Sequence, residues 1–138
     1  MAARKPKEKN YIFAIGRRKT STARVRLFKG KDQTLVNDLP FAQYFAGPTA
    51  SKLLVKPFQV TETEGKYFVT AKTVGGGKNG QLEAVIHGIA RALCKVDTGA
   101  FRDPLKKTGL LTRDPRTRQR RMVGMGGKSR RKRQSPKR

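Results

Sequence analysis

Residues 81–95, QLEAVIHGIARALCK, carry the clearest structural signal in this chain of 138 residues. Apolar side chains recur in this stretch at the i, i+3, i+4, i+7 and i+11 spacing that places them on one face of a helix. These side chains belong to Leu82, Val85, Ile86, Ile89 and Leu93. The spacing predicts a helix over 81–95 with one buried face, so the rest of the fold must supply a surface for that face.

Short segments rich in β-branched and aromatic residues lie on the N-terminal side of this helix. Apolar and polar residues alternate in 22–28 and in 66–74, which predicts two strands that each bury one face. A further short strand is predicted over 33–36. Residues 11–15 are apolar on both faces, as in a central strand. The link 16–21 predicts a hairpin turn with three cations at its tip.

Helix signals separate these strands and follow the long helix. Asp38 is predicted to be an N-cap, with Pro40 in the first helical turn. Residues 49–55 predict a second short helix, 58–61 a strand, and 97–107 a turn with a final short helix. Strands first and helices later predict an α+β fold, a small sheet with helices packed on one side.

The charge of the chain is strongly unbalanced, with 33 Lys+Arg against 9 Asp+Glu and a net charge of +24. Such an excess opposes compaction, so the native state is predicted to include a polyanion, with nucleic acid as the default. The last 26 residues hold three hydrophobic side chains and no aromatic one, which predicts a tail that is ordered only against a partner. The predicted organisation is a basic N-terminal extension over 1–10, an α+β RNA-binding domain over 11–112 and an extended basic C-terminal tail over 113–138.

Several classes of protein are excluded by composition. Cys94 and His87 are the only residues of their types, so no disulfide framework, cysteine zinc site or histidine cluster is expected, and no metal or other cofactor. No nucleophile or carboxylate lies at a spacing from His87 that would indicate acid–base catalysis, which argues against an enzyme. No apolar run approaches the ~18 residues of a membrane helix, and no apolar segment behind 1–10 indicates a signal peptide.

The glycine-rich segment GGGKNG at 75–80 precedes the long helix. It is not a Walker A loop, because Asn79 stands where Ser or Thr is required. It matches the G-x-G-x-x-G pattern of dinucleotide sites, but the chain is too short for the doubly wound domain of such sites. The preferred ligand is an RNA phosphate at the helix N-terminus, beside Lys78 and Asn79. A small nucleotide-binding protein and a turn without ligand remain the alternatives.

Two further groups of basic residues are predicted RNA contacts. In the domain they are the turn residues Arg17, Arg18 and Lys19, the strand residues Arg24 and Arg26, and the helix residues His87 and Arg91. In the tail they are Arg113, Arg116, Arg118, Arg120, Arg121, Lys128, Arg130, Arg131, Lys132 and Arg133. For the strand and helix residues a solvated face is the alternative. In the two tail clusters, 116–121 and 128–133, seven of the nine cations are arginine, which favours folded RNA over duplex DNA. A DNA-compacting protein is the alternative for the chain.

Four motifs occur in a telling order: GRRKTSTARV at 16–25, GGGKNGQ at 75–81, HGIARAL at 87–93 and GLLTRD at 109–114. With these motifs the chain resembles the small-subunit ribosomal protein nine family, in its bacterial type. The resemblance implies a domain like the second domain of small-subunit ribosomal protein five, with a left-handed β-α-β crossover that is an exception to the usual hand.

The same resemblance implies a place in the head of the small ribosomal subunit. There the chain would bind rRNA and neighbouring ribosomal proteins, with no membrane and no small-molecule substrate. The basic residues named above, together with Lys78 and Asn79, would contact rRNA. Lys137 and Arg138, at the end of the tail, would contact the tRNA in the peptidyl site. The ribosome would be cytoplasmic, or one encoded by an organelle genome.

Overall fold

Helix α3 (Lys78–Val96) packs against a five-stranded sheet in the computed structural model, which describes residues 10–126 and Lys132. The other elements are, in chain order, β1 (Ile12–Arg18), β2 (Ser21–Lys29), β3 (Leu35–Val36), β4 (Leu39–Pro40), α1 (Phe41–Tyr44), α2 (Pro48–Val60), β5 (Tyr67–Val74) and α4 (Thr98–Lys107). The strands lie in the order β1-β2-β5-β3-β4, and every neighbouring pair is antiparallel except β3 and β5.

Burial alternates along the long strands, as the two-residue period requires. Ala14, Val25 and Ala71 are buried on the face that meets α3, whereas Arg24 and Lys72 are exposed on the opposite face. Helices α2 and α4 in turn contact α3. The predicted α+β class with helices on one side of a small sheet is therefore confirmed.

The contact between α3 and the sheet is unusually close because both surfaces carry glycine at the crossing. A Cβ atom added to Gly16 on β1 would overlap the carbonyl oxygen of Ala84 and the backbone nitrogen of Gly88. A Cβ atom on Gly88 would lie 2.5 Å from Cγ2 of Val25. The two glycines therefore set the distance at which the long helix lies on β1 and β2.

The N-terminal hairpin differs from its prediction in two ways. Among the described strands β1 lies at the edge and pairs with β2 alone, so the prediction of a central strand over 11–15 was wrong. The predicted turn over 16–21 was also too long, because β1 continues through Arg18. The turn consists of Lys19 and Thr20 alone, and Lys19 has a positive φ of 53°. Only Lys19 among the three cations lies at the tip.

Two predictions for the segment between the hairpin and β5 were wrong as well. Asp38 is not an N-cap: with Asn37 it forms the two-residue turn between β3 and β4, and both residues have positive φ, 66° and 50°. This is the backbone that a tight hairpin needs. Residues 58–61 form no strand, since α2 continues through Pro57 to Val60. Burial of Pro57 and Phe58 in the core outweighs the hydrogen bond that proline cannot donate.

The helices predicted over 81–95 and 97–107 are confirmed as α3 and α4. Asp97 caps α4, because its Oδ1 accepts a hydrogen bond of 3.1 Å from the backbone N–H of Ala100. The crossover handedness and the domain boundaries stay predictions. Residues 113–126 form no helix or strand. Among the described residues, no helix combines the length and apolar character needed to cross a bilayer.

Candidate nucleic-acid interface

The free edge of β1 is covered by side chains of α3. An edge strand exposes unpaired backbone groups, and here three of them are bound by residues spaced four apart on one helix face. The bonds run from Arg17 N–H to His87 Nδ1 (3.3 Å), from Arg91 Nη1 to Ile15 O (2.6 Å) and from Lys95 Nζ to Phe13 O (2.7 Å). The predicted face of His87 and Arg91 is therefore neither free nor purely solvated, since it pairs with β1.

His87 joins three parts of the chain as a neutral imidazole. Because Nδ1 accepts from β1, the ring proton belongs on Nε2, which donates to the carbonyl oxygen of Leu111 at 3.2 Å. Burial lowers the pKa of His87 first of all; the Leu111 carbonyl opposes this, and the charges of Arg91 and Arg113 lower the pKa further. The side chain thus holds β1, α3 and the segment after α4 together only while it is uncharged.

We expect the stability of the isolated protein to fall as the pH decreases below about 6.5, the ordinary histidine pKa. The unfolded chain binds a proton there more readily than the folded chain, so acid favours unfolding. Urea unfolding between neutral and mildly acidic pH should show this decrease in the free energy of unfolding. The decrease should be absent from the His87→Gln variant. Since this is the only histidine, its NMR titration is unambiguous. A folded-state midpoint at or above the ordinary value would contradict the account.

A basic groove of about 580 Å³ lies along the covered edge. Its basic lining residues come from β1, α3 and the segment after α4, and within residues 10–126 no acidic side chain lines it. They are Arg17, Arg91, Lys95 and Arg113, with the neutral imidazole of His87 between them. The sequence predicted four of these five residues as RNA contacts, and the fold brings them to one place. A concave surface lined by one sign of charge concentrates the field that attracts a polyanion.

Arg18 has a different environment from its neighbours, because its residue is only 7% exposed. Its Nε donates to Glu83 of α3, and its Nη1 donates to the carbonyl oxygen of Arg116 at 2.6 Å. Its Nη2 lies 3.3 Å from Oδ2 of Asp114. Since these partners balance its charge within the chain, Arg18 anchors the root of the tail, and its contact with rRNA stays a prediction.

The root of the tail is tied to the N-terminal hairpin by further bonds. Within the root itself, the guanidinium of Arg116 donates three hydrogen bonds to the carboxylate oxygens of Asp114, and the shortest is 2.7 Å. The side-chain and backbone donors of Arg116 hold the pKa of Asp114 well below its ordinary value. Arg113 donates to the carbonyl oxygen of Lys19 at 3.3 Å. Arg113, Asp114 and Arg116 thus all contact the N-terminal hairpin.

The glycines before α3 are accounted for by packing against the same hairpin. Gly75 and Gly76 have φ values of 77° and 63°, which disfavour other residues. A Cβ atom on Gly75 would lie 2.8 Å from the carbonyl oxygen of Thr20, and one on Gly76 would overlap Oγ of Ser21. Ser21 also donates to the carbonyl oxygen of Gly75 at 3.0 Å. A close approach within the chain explains these glycines without any ligand.

Lys78 and Asn79 lie in the first turn of α3 and are both exposed. The ammonium of Lys78 lies 3.4 Å from the ring centroid of Tyr44 and donates to its carbonyl oxygen at 3.3 Å. The hydrogen bond from Thr73 lowers the pKa of Tyr44 most; burial opposes this, and the charge of Lys78 with hydrogen bonds from Asn37 and Lys78 lowers the pKa further. Binding of an RNA phosphate by Lys78 and Asn79 stays a prediction.

The face of the sheet opposite α3 is the second basic surface of the domain. We call it the open sheet face and define it by the outward side chains Phe13, Ile15, Arg17, Arg24, Arg26 and Lys72. The strands β1, β2 and β5 contain no acidic residue. Phe13, Ile15 and Arg17 also line the basic groove, so the two surfaces are continuous.

The remaining predicted contacts lie in the tail. Arg118, Arg120 and Arg121 are exposed, as is Lys132. Six of the predicted residues lie outside the described part of the chain: Lys128, Arg130, Arg131, Arg133, Lys137 and Arg138. Among the described residues, no three potential metal-ligating side chains cluster.

Sequence reasoning missed two basic residues of these surfaces. Lys95 follows Arg91 by four positions, so the helical spacing that paired His87 with Arg91 could have extended to it. Lys72 alternates with buried residues on β5, which places it on the same face as Arg24. The alternation along β5 could be read from the sequence, but the pairing of β2 with β5 could not.

Comparison with known proteins gives a consistent result. The family model described as Ribosomal protein S9/S16 matches residues 16–138. The chain is 46% identical to the small ribosomal subunit protein uS9 of Solidesulfovibrio magneticus over 117 residues, 85% of this chain and 89% of the relative. It is 42% identical to the protein of the same name from Maridesulfovibrio salexigens over 119 residues, 86% of this chain and 91% of the relative.

Proposed function

The chain belongs to the ribosomal protein S9/S16 family, and we propose that it holds folded rRNA through the basic groove and the open sheet face. Its role is that of a structural, non-enzymatic component of the small ribosomal subunit. The finer proposal adds that the basic tail extends from the domain and that its tip contacts the tRNA in the peptidyl site. Neighbouring proteins of the subunit head are further proposed partners.

One observation carries the rRNA proposal: the basic groove collects cations from distant parts of the chain, and none of the described residues that line it is acidic. Arg17, Arg91 and Arg113 are widely separated in sequence but line one cavity. Repulsion among such cations destabilises a free protein, and phosphates that neutralise them remove this cost. A surface built for solvent alone would intersperse both signs of charge.

Competition binding tests this proposal against DNA compaction. Full-length protein is bound to labelled small-subunit rRNA and challenged with unlabelled rRNA or with random duplex DNA of equal phosphate concentration. We expect rRNA to compete much more effectively at a fixed salt concentration, because arginines recognise irregular RNA as well as charge. Equal competition by duplex DNA would refute folded RNA as the specific partner.

The tRNA proposal rests on the charge and length of the tail. Residues 117–138, which follow the attached root, span up to ~70 Å when extended at ~3.3 Å per residue, enough to reach well beyond the domain. Lys137 and Arg138 end this segment and lie outside the described residues. Two cations at the end of a long polar segment are suited to bind backbone phosphates of a tRNA.

We expect neutralisation of the tail tip to weaken tRNA binding in the peptidyl site without preventing subunit assembly. The change is Lys137→Gln with Arg138→Gln, and the matched control is Lys5→Gln with Lys7→Gln at the other end of the chain. Dissociation constants are measured on ribosomes that carry each variant, at fixed salt and magnesium. If the tip variant and the control bind tRNA equally well, the proposed contact is refuted.

A further inference from the structure

Phe13 stands out on the open sheet face because its ring is exposed among cations. The residue is 41% exposed, a larger fraction than for any other aromatic residue within residues 10–126. Arg26 is its direct cross-strand partner, and Lys95 donates to its carbonyl oxygen at 2.7 Å. A single exposed phenylalanine is common on protein surfaces. This one lies among basic side chains, so the site suits a ligand that combines an aromatic ring with negative charge.

Further aromatic rings occupy the adjoining row of the same face. The rings of Phe28 and Phe68 are stacked with centroids 5.1 Å apart, and Tyr11 lies 5.4 Å from Phe28. The guanidinium of Arg26 lies 5.2 Å from the centroid of the Tyr11 ring. The surface around Phe13 therefore already combines ring faces with arginine planes, the two groups on which nucleobases stack.

From this placement we propose that the open sheet face binds unpaired nucleotides, with one base stacked on Phe13 and the adjoining phosphates in the basic groove. The inference deepens the proposed function and rests on it, since it names the class of RNA that this surface takes. Bases inside a duplex are already stacked on one another, so a ring on the protein surface is useful only to a base that is looped out or single-stranded. The absence of acidic residues from β1, β2 and β5 favours RNA over a protein partner.

The chain contains no tryptophan, so an introduced indole reports on one position only. Full-length Phe13→Trp is titrated with a single-stranded RNA of about 12 nucleotides and with the duplex of the same sequence. We expect strong quenching of the indole by the single strand and little by the duplex. The matched control is Leu39→Trp on β4, at the opposite edge of the sheet and 47% exposed, whose emission neither RNA should change.

Anisotropy of the labelled RNA is followed in the same titrations, because the basic tail binds RNA wherever the domain does. Binding without quenching of the Phe13→Trp indole, or equal quenching by duplex and single strand, overturns the inference and leaves rRNA binding intact. No binding of either RNA at low salt overturns the proposed function as well. The unmodified protein gives a second measurement: photocrosslinking to 4-thiouridine RNA should label the tryptic peptide that spans residues 10–17.

Discussion

Gly16→Ala is expected to lower the free energy of unfolding by at least about 3 kcal/mol, the upper end of the usual cost of overpacking. The added methyl group would overlap backbone atoms of Ala84 and Gly88, which cannot rotate away as a side chain can. Helix α3 would have to lift from β1, and the bonds from His87, Arg91 and Lys95 to the strand edge would lengthen with it. Since small domains are stable by only ~5–15 kcal/mol, this single methyl group threatens the fold.

Gly99→Ala in α4 is the matched control, because it adds the same methyl group at a position where no backbone atom lies close to it. The new Cβ atom would lie 3.6 Å from the Asp97 carboxylate, an ordinary van der Waals distance, and alanine favours the helix. Urea unfolding of both variants, followed by far-UV circular dichroism, gives the comparison. If Gly16→Ala unfolds at the same urea concentration as the control, the close approach of α3 to β1 is not what limits the fold.

Periodicity predicted the elements that bury one face and expose the other. The spacing in α3 and the alternation in β2 and β5 each reflect one buried face, and that face is recorded along the sequence itself. The position of β1 in the sheet could not be read from its sequence. Phe13 and Ile15 of β1 point away from α3, line the basic groove and are also apolar, so this edge strand has the apolar pattern of a central one. Asn37 and Asp38 carried a local signal for a tight turn, but the following Pro40 favoured a helix start instead.

The roles of the basic residues depended on contacts that no local pattern reveals. Arg17 and Arg18 are neighbours in sequence, but strand alternation places one in the groove and the other in the interior. The partners that neutralise Arg18, Glu83 and Asp114, lie 65 and 96 positions away along the chain. A cluster of cations therefore predicts a polyanion for the chain as a whole, while the fold decides which members of the cluster remain available to it.

The availability of Arg17 and Arg113 makes them the sharpest test of the basic groove. Arg91 and Lys95 also cover the edge of β1, so their loss would mix folding with binding. The side chain of Arg17 makes no hydrogen bond within residues 10–126, and Arg113 makes a single exposed one. We expect Arg17→Gln with Arg113→Gln to reduce the affinity for small-subunit rRNA on the order of 100-fold, since hydrogen bonds to charged groups are worth ~1.5–3 kcal/mol each.

The salt dependence of the same binding separates lost phosphate contacts from a damaged fold. Each contact contributes about 0.7–0.9 to the slope of log affinity against log salt, so the double variant should have a slope shallower by about 1.4–1.8. The matched control, Lys31→Gln with Lys66→Gln, removes the same charge from exposed residues at the opposite end of the β2–β5 pair. Because a general loss of charge acts on both variants alike, an equal change of slope in the control would show that the groove holds no phosphates of its own.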